Sequence, residues 1–296
     1  MTDAPALRLG TRGSSLALAQ AQSVAGTLPG AEVVTVPSTD SDPGDKERFV
    51  RGVERALIAG EVDLGVHSAK DLPGRRPDEL RLAGVAARED PLDAYVGPAS
   101  SLDEVPAGAR VGTSSLRRRS QLLALRDDLE VVGLRGNVDT RLRKLTADSY
   151  DGIVLATAGL RRLGREDEIA FTFGLDQMTP APGQGSLAIE TRRDDPASAA
   201  EAARISDHDA LVELTAERTA VVALDATCQT PVGVCARLAG DELAVYGYAG
   251  LPDGSEWVRD RVAGDPEQPA ALGQVLADRM IAAGARDILR RSEAAA

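Results

Sequence analysis

Lysine is nearly absent from this 296-residue chain: Lys46, Lys70 and Lys144 are its only lysines, and the rest of its positive charge is arginine. Histidine and cysteine are scarcer still, limited to His67, His208, Cys228 and Cys235. No histidine pair has ligand spacing, and the two cysteines are too few and too badly spaced for a zinc cluster. No apolar run approaches the length of a membrane span, and Met1-Thr2-Asp3-Ala4-Pro5 lacks a basic segment followed by an apolar one. The expectation is therefore a cytoplasmic protein, in which a disulfide has no support. The sequence also lacks G-x-x-x-x-G-K-[ST], G-x-S-x-G and H-E-x-x-H, so the phosphate loop, the nucleophile elbow and the helical zinc site are excluded. Asp40, Asp42 and Asp45 lie without the rest of a calcium loop, and no metal is expected. With a net charge of −12 there is no broad basic face for a duplex, so nucleic acid is not an expected partner. Acidic partners must be small and locally held.

What is present is an ordinary globular balance, 43% hydrophobic and 27% charged, in a chain long enough for two or three domains. Strand, turn and helix signals alternate. A short strand at Leu7-Arg8-Leu9 leads into the turn Thr11-Arg12-Gly13-Ser14-Ser15, with Ser14 or Ser15 as N-cap of a helix beginning at Leu16. A strand over 32–36 precedes a polar, Pro/Gly-containing loop over 38–45, and 49–59 reads as a helix. A buried strand over 62–66 delivers the segment His67-Ser68-Ala69-Lys70-Asp71-Leu72-Pro73, and 81–86 is another strand. After Arg88-Glu89-Asp90-Pro91 the pattern breaks, which marks a domain crossover. From Ala109 strand, turn and helix repeat three times, at 109–119, 130–141 and 153–162, implying parallel, doubly wound sheets. The loop 180–185 feeds a strand over 186–190 that reads as a return crossing. Beyond Ser206 a helix over 210–223, a loop holding Cys228, a hairpin of 243–248 with 256–262 and a long helix over 270–290 describe a small α+β domain.

Arginines recur where these helices follow their strands: Arg12, Arg117, Arg118, Arg135, Arg141 and Arg162. The helix dipole disfavours cations there, and the crevice beyond strand C-termini is where open α/β sheets bind ligands. Arginine adds bidentate recognition of carboxylate or phosphate. Any one of these arginines also fits a solvated or acid-paired surface residue, and for Arg119, Arg143 and Arg161 that is the better reading, because adjacent helical positions point about 100° apart. Asp71, next to Lys70 at a strand end, is a carboxylate among cations, suited to accept hydrogen bonds from a cationic or N–H-bearing species, although an Asp there also serves turns and caps. His67 reads as a core or hydrogen-bonding residue rather than a metal ligand. Cys228, in Ala226-Thr227-Cys228-Gln229-Thr230-Pro231-Val232-Gly233, fits either a covalent attachment point or an inert thiol. Cys235 fits the inert description better.

Taken in order, Thr11-Arg12-Gly13-Ser14-Ser15-Leu16-Ala17, His67 to Pro73, Gly112-Thr113-Ser114-Ser115-Leu116-Arg117-Arg118, Leu134-Arg135-Gly136-Asn137-Val138 with Thr140-Arg141-Leu142, Ala158-Gly159-Leu160-Arg161-Arg162-Leu163-Gly164, Gly183-Gln184-Gly185 and Cys228 to Gly233 resemble the porphobilinogen deaminase family over nearly the whole chain. The resemblance implies two doubly wound periplasmic-binding-protein-like domains plus a small C-terminal α+β domain, divided as 1–86 with the return segment 186–203, then 87–185, then 204–296. It implies a transferase that condenses four porphobilinogen molecules into hydroxymethylbilane, releasing ammonia each time, on a dipyrromethane cofactor joined to Cys228.

By motif match, Asp71, Lys70 and Arg118 fall on catalytic positions. Ser68, Lys70, Thr113, Ser115, Arg117, Arg118, Arg135 and Gly136 join Cys228 on cofactor-binding ones, and Arg12, Ser14, Gln20, Arg135, Arg141, Arg162 and Gln184 on substrate-binding ones. Each pyrrole carries an acetate and a propionate, which accounts for the arginines. The expected partner is porphobilinogen alone, with no nucleic acid or membrane, and the expected state a monomer. Two departures from the family stand out: a shortened loop with Asp45-Lys46-Glu47 in place of Gly-Lys-Gly, and Ala226-Thr227 in place of a glycine pair before Cys228.

Overall fold

The computed structural model describes residues 6–37, 48–74, 76–147, 150–227 and 230–294, without the side chains of Arg48 and Phe49. Cys228, Gln229 and the acidic segment 38–47 lie outside the described residues, and so do the expectations placed on them. In chain order the elements begin with β1 (Arg8–Arg12), α1 (Ser15–Ala25), β2 (Glu32–Val36), α2 (Arg48–Ile58), β3 (Leu64–Ser68) and β4 (Leu80–Ala86). β5 (Asp93–Val96), β6 (Arg110–Gly112), α3 (Leu116–Leu125), β7 (Glu130–Val132), α4 (Val138–Ala147), β8 (Gly152–Ala156), α5 (Thr157–Arg162) and β9 (Phe171–Thr172) form a second run. β10 (Leu187–Arg192), α6 (Pro196–Arg204), α7 (His208–Ala223), β11 (Val232–Ala239), β12 (Glu242–Gly250), β13 (Trp257–Gly264), α8 (Pro269–Ala282) and α9 (Ala285–Ala294) complete the chain. No described helix is long and apolar enough to cross a membrane.

Two compact units emerge, Met1–Glu89 with Ser186–Leu211, and Asp90–Gly185 with Val212–Ala296. The first is built on a five-stranded sheet of order β2-β1-β3-β10-β4. β1 is parallel to β2 and β3, while β10 enters antiparallel between β3 and β4. Period-two alternation sends Leu9, Leu64, Val66 and Ile189 to one face, where they meet Ala21 and Val24 of α1 and Ala202 of α6. On the opposite face α2 supplies Val53, Ala56 and Leu57. Helices therefore cover both faces, as a doubly wound sheet requires.

The second unit repeats this plan in the order β7-β6-β8-β5-β9, with β5 as its antiparallel member. It also holds the antiparallel sheet β11-β12-β13, whose inner face buries Val234, Val245 and Val262 against α7, α8 and α9. The α/β class with a small third sheet is as expected.

Several local readings are corrected. The two large sheets are mixed rather than purely parallel. β1 runs on through Thr11 and Arg12, which had read as turn, because Gly13 is the first residue to leave the ladder. His67 and Ser68 belong to β3 rather than to the loop after it. Val232 and Gly233 belong to β11 rather than to a loop, so the third sheet has one strand more than the expected hairpin. The long C-terminal helix is two helices parted at Gly284, whose φ of 100° no α-helix tolerates.

Candidate functional site

In the first unit the turn from β1 into α1 is tied by short polar links. Ser14 Oγ accepts the Ala17 N–H (3.3 Å) and the Thr11 hydroxyl donates to the Ala17 carbonyl (3.2 Å). That capping aims α1 so that Gln20, buried on its inner face, meets Ser68 at the end of β3, where its amide donates to the hydroxyl (2.9 Å). The Ala69 N–H donates to the Ser186 carbonyl (3.0 Å), and residues Ala69–Asp71 close a single 3-10 turn. This turn leaves Asp71 half-buried at a small solvent-open pocket that Arg12, Gln20, His67 and Ser68 also line. Lys70, one residue earlier, is exposed. His67 is buried in β3 with Nε2 3.2 Å from Glu190 Oε2, which fits the expected core role.

In the second unit Ser115 caps α3, its Oγ accepting the Arg118 N–H (3.4 Å), and the buried Thr113 accepts the Ser115 N–H (3.2 Å). Arg117 and Arg118 follow in the first turn, where the dipole opposes cations. The compensation is Asp93, at the start of β5, which has no exposed surface. Arg117 Nη1 lies 2.7 Å from its Oδ2, and Arg118 Nη2 lies 2.7 Å from its Oδ1. Both long side chains thus converge on one carboxylate, although their Cα atoms face different ways.

Gln184, nearly fully buried, donates its amide to Asp93 Oδ1 (2.9 Å) and to the Pro91 carbonyl (2.7 Å). Arg117 also donates to the Thr179 carbonyl (2.8 Å), and Arg118 to that of Val154 (3.0 Å). Burial pushes the Asp93 carboxyl up, but the two guanidiniums outweigh it and hold the group well below the usual carboxylate range. Burial likewise lowers Arg118, against the pull of Asp93.

The other arginines are more open. Arg135 is exposed on the turn before α4, beside Gly136 at φ 125°, where an added Cβ would lie 2.7 Å from Thr140. Arg141 donates from Nε to the Gly136 carbonyl (2.8 Å), and Asn137 caps the helix by accepting the Thr140 N–H (2.9 Å). Arg162, expected at a helix start, closes the six-residue α5, where the dipole favours a cation, and donates to the Gly185 carbonyl (2.6 Å). Among the residues set aside as surface, Arg161 pairs with Asp90 at 3.4 Å, while Arg119 donates to the Val131 carbonyl (2.9 Å).

The structure thus gathers Arg12, Gln20, Ser68 and Asp71 in one unit, and in the other Arg117, Arg118 and Gln184 around Asp93, with Ser115 and Thr113 in the cap of α3. Asp93 and Glu190 are the residues that sequence reasoning missed. A signal for Asp93 existed: adjacent arginines in a helix's first turn need a carboxylate. Among the described residues no group of histidine, cysteine, aspartate and glutamate is arranged to hold a metal.

Two mixed sheets with arginines at or after several of their strands, and a small helix-backed antiparallel sheet, define an α/β protein of three sheets. Residues 7–200 match the family model "Porphobilinogen deaminase, dipyromethane cofactor binding domain" and residues 211–282 match "Porphobilinogen deaminase, C-terminal domain". The chain belongs to the porphobilinogen deaminase family. The porphobilinogen deaminase of Roseiflexus sp. is 45% identical over 298 residues, covering 96% of this chain and 98% of that one. That of Campylobacter concisus is 45% identical over 253 residues, covering 84% and 82%. Among solved structures, the BvgS VFT2 domain of Bordetella pertussis aligns over 69% of this chain and 88% of its own, with TM-score 0.41 and 14% identity.

Proposed function

We propose that this chain is a transferase of tetrapyrrole synthesis that condenses four porphobilinogen molecules, each losing ammonia, into hydroxymethylbilane on a dipyrromethane primer joined to Cys228. The match of a dipyrromethane cofactor-binding family model to residues 7–200 carries the reading. The donor chemistry of the described residues fits such a group: pyrrole acetates and propionates call for bidentate cations and backbone approach. Arg135 stands exposed beside the side-chain-free Gly136, with Arg141 adjoining it. Cofactor binding is assigned to Cys228, Ser68, Lys70, Thr113, Ser115, Arg117, Arg118, Arg135 and Gly136. Substrate binding is assigned to Arg12, Ser14, Gln20, Arg135, Arg141, Arg162 and Gln184.

When bound, the dipyrromethane supplies the nucleophilic pyrrole carbon that begins the chain. Asp71 accepts the pyrrole N–H groups and stabilises the positive charge that develops as ammonia departs, an interaction stronger in the transition state than in the ground state. Lys70 and Arg118 are assigned to protonating or positioning the leaving amine. The Asp93 network keeps Arg118 charged and aimed, since a guanidinium with two fixed acceptors loses little freedom on binding. The chain is assigned the three-domain division at 86, 185 and 203, with 186–203 returning to the first domain. It is taken to act as a cytoplasmic monomer without nucleic acid or membrane partners.

Purified wild-type protein supplied with porphobilinogen should release ammonia and form the linear tetrapyrrole. Asp71→Ala should keep its fold and lose nearly all turnover. No product from cofactor-loaded wild type would overturn the activity, and wild-type turnover in the variant would overturn the role of Asp71.

A further inference from the structure

Glu190, on β10, has no exposed surface, and neither carboxylate oxygen has a hydrogen-bond partner among the described residues. Two basic side chains approach it: His67, with Nε2 3.2 Å from Oε2, and Arg76, with Nε 3.7 Å from Oε1. An apolar residue of similar volume is generally as stable or more stable in such a place. A buried carboxylate retained there marks a use other than stability.

Register explains how the pair meets. β10 runs antiparallel to β3, with Glu190 opposite Gly65 and Ala188 opposite His67. Opposed residues share a face of the sheet, and so does a residue two positions along the same strand. Glu190 and His67 are therefore diagonal neighbours across Gly65. A Cβ at 65 would lie 3.0 Å from His67 Nε2, so the glycine is what lets the imidazole lean back along its own strand.

His67 lines the same pocket as Asp71, four residues on. Between them the contacts Gln20 to Ser68 and the Ala69 N–H to Ser186 are neutral. The approach of His67 to Glu190 differs from these in having ionisable groups at both ends. Building on the reading of Asp71 as the central carboxylate, we propose that Glu190 is a positioning residue that acts through His67. It holds the imidazole at the end of β3 and so aims the Ala69–Asp71 turn, with Arg76 balancing the charge. Glu190 touches no reacting atom.

The test uses the cofactor-loaded full chain and the variants Glu190→Gln and His67→Gln, the second serving if the first fails to fold. Both should lower kcat by about 10-fold while KM stays within about twofold, as expected when a support is removed from a reacting group. Amide exchange over 68–72, measured without substrate, should quicken by about 10-fold in both while β1 and β2 keep wild-type protection. In an Asp71→Asn background, Glu190→Gln should have little further effect on single-turnover ammonia release. A fall in thermal stability with unchanged kcat and KM would overturn the proposal, as would unchanged exchange over 68–72 or a fully additive double variant. If wild type itself fails to turn over porphobilinogen, the functional reading falls, and the exchange measurement still decides the role of Glu190.

Discussion

Asp93 is a carboxylate with no exposed surface facing two guanidiniums, so the three charges stand or fall together. Asp93→Asn keeps the shape and removes the anion, leaving two buried cations uncompensated. Breaking a buried pair in this way costs about 3–5 kcal/mol, which urea unfolding at neutral pH should show directly. The pH dependence follows in sign. The folded-state value lies below the ordinary aspartate value of 3.8, so the stabilisation is fully present above that value and is lost as pH falls through the depressed one. Unfolding free energy should decline below about pH 4 in wild type and decline less steeply in Asp93→Asn. The arginines were legible because their recurrence at strand ends breaks a local rule visible in the sequence. That they need a carboxylate was readable as well, but not which one supplies it: Asp93 lies 24 positions from Arg117, and a lone Asp opening an apolar strand looks like a turn residue.

Elements were legible where period and capping agree, as in α1, with Ser14 before an apolar helix, and in β2. They were misread where a glycine that reads as punctuation serves close approach instead. Gly233 lies within β11, and a Cβ there would stand 2.5 Å from the Thr179 carbonyl oxygen, so the position demands glycine for packing rather than for a turn. The converse holds at Gly284, a true breaker inside a run that looked continuously helical. Gly284→Ala should cost about 1–3 kcal/mol, because a side chain at that φ is strained, and should lower the thermal midpoint without joining α8 to α9. Restored wild-type stability would mean that the backbone can adopt an ordinary helical φ there. α6 went unread even though Asp195 before Pro196 is a start signal, and Asp195 does cap the helix by accepting the Ser198 N–H (3.0 Å).

At the scale of the molecule, two sheets of different sequence share one plan, a parallel set with one antiparallel strand in the fourth position. Alternation of strand and helix made the plan readable, but the direction of β5 and β10 is a property of long connections that leave no periodic trace. The chemistry divides in the same way. Asp71 follows β3 of the first sheet, the Asp93 network and Arg135, Arg141 and Arg162 belong to the second unit, and in the sequence Cys228 falls between the residues of α7 and those of β11. Under the proposed function, a polyanion that grows while tethered is the ligand that would use all three. The most direct test of that account is the intact mass of purified wild-type and Cys228→Ser proteins. A mass increase of one dipyrromethane on wild type, absent from Cys228→Ser, is the predicted result. An unmodified wild type that stays unmodified after incubation with porphobilinogen, or an adduct that survives the loss of Cys228, would contradict it.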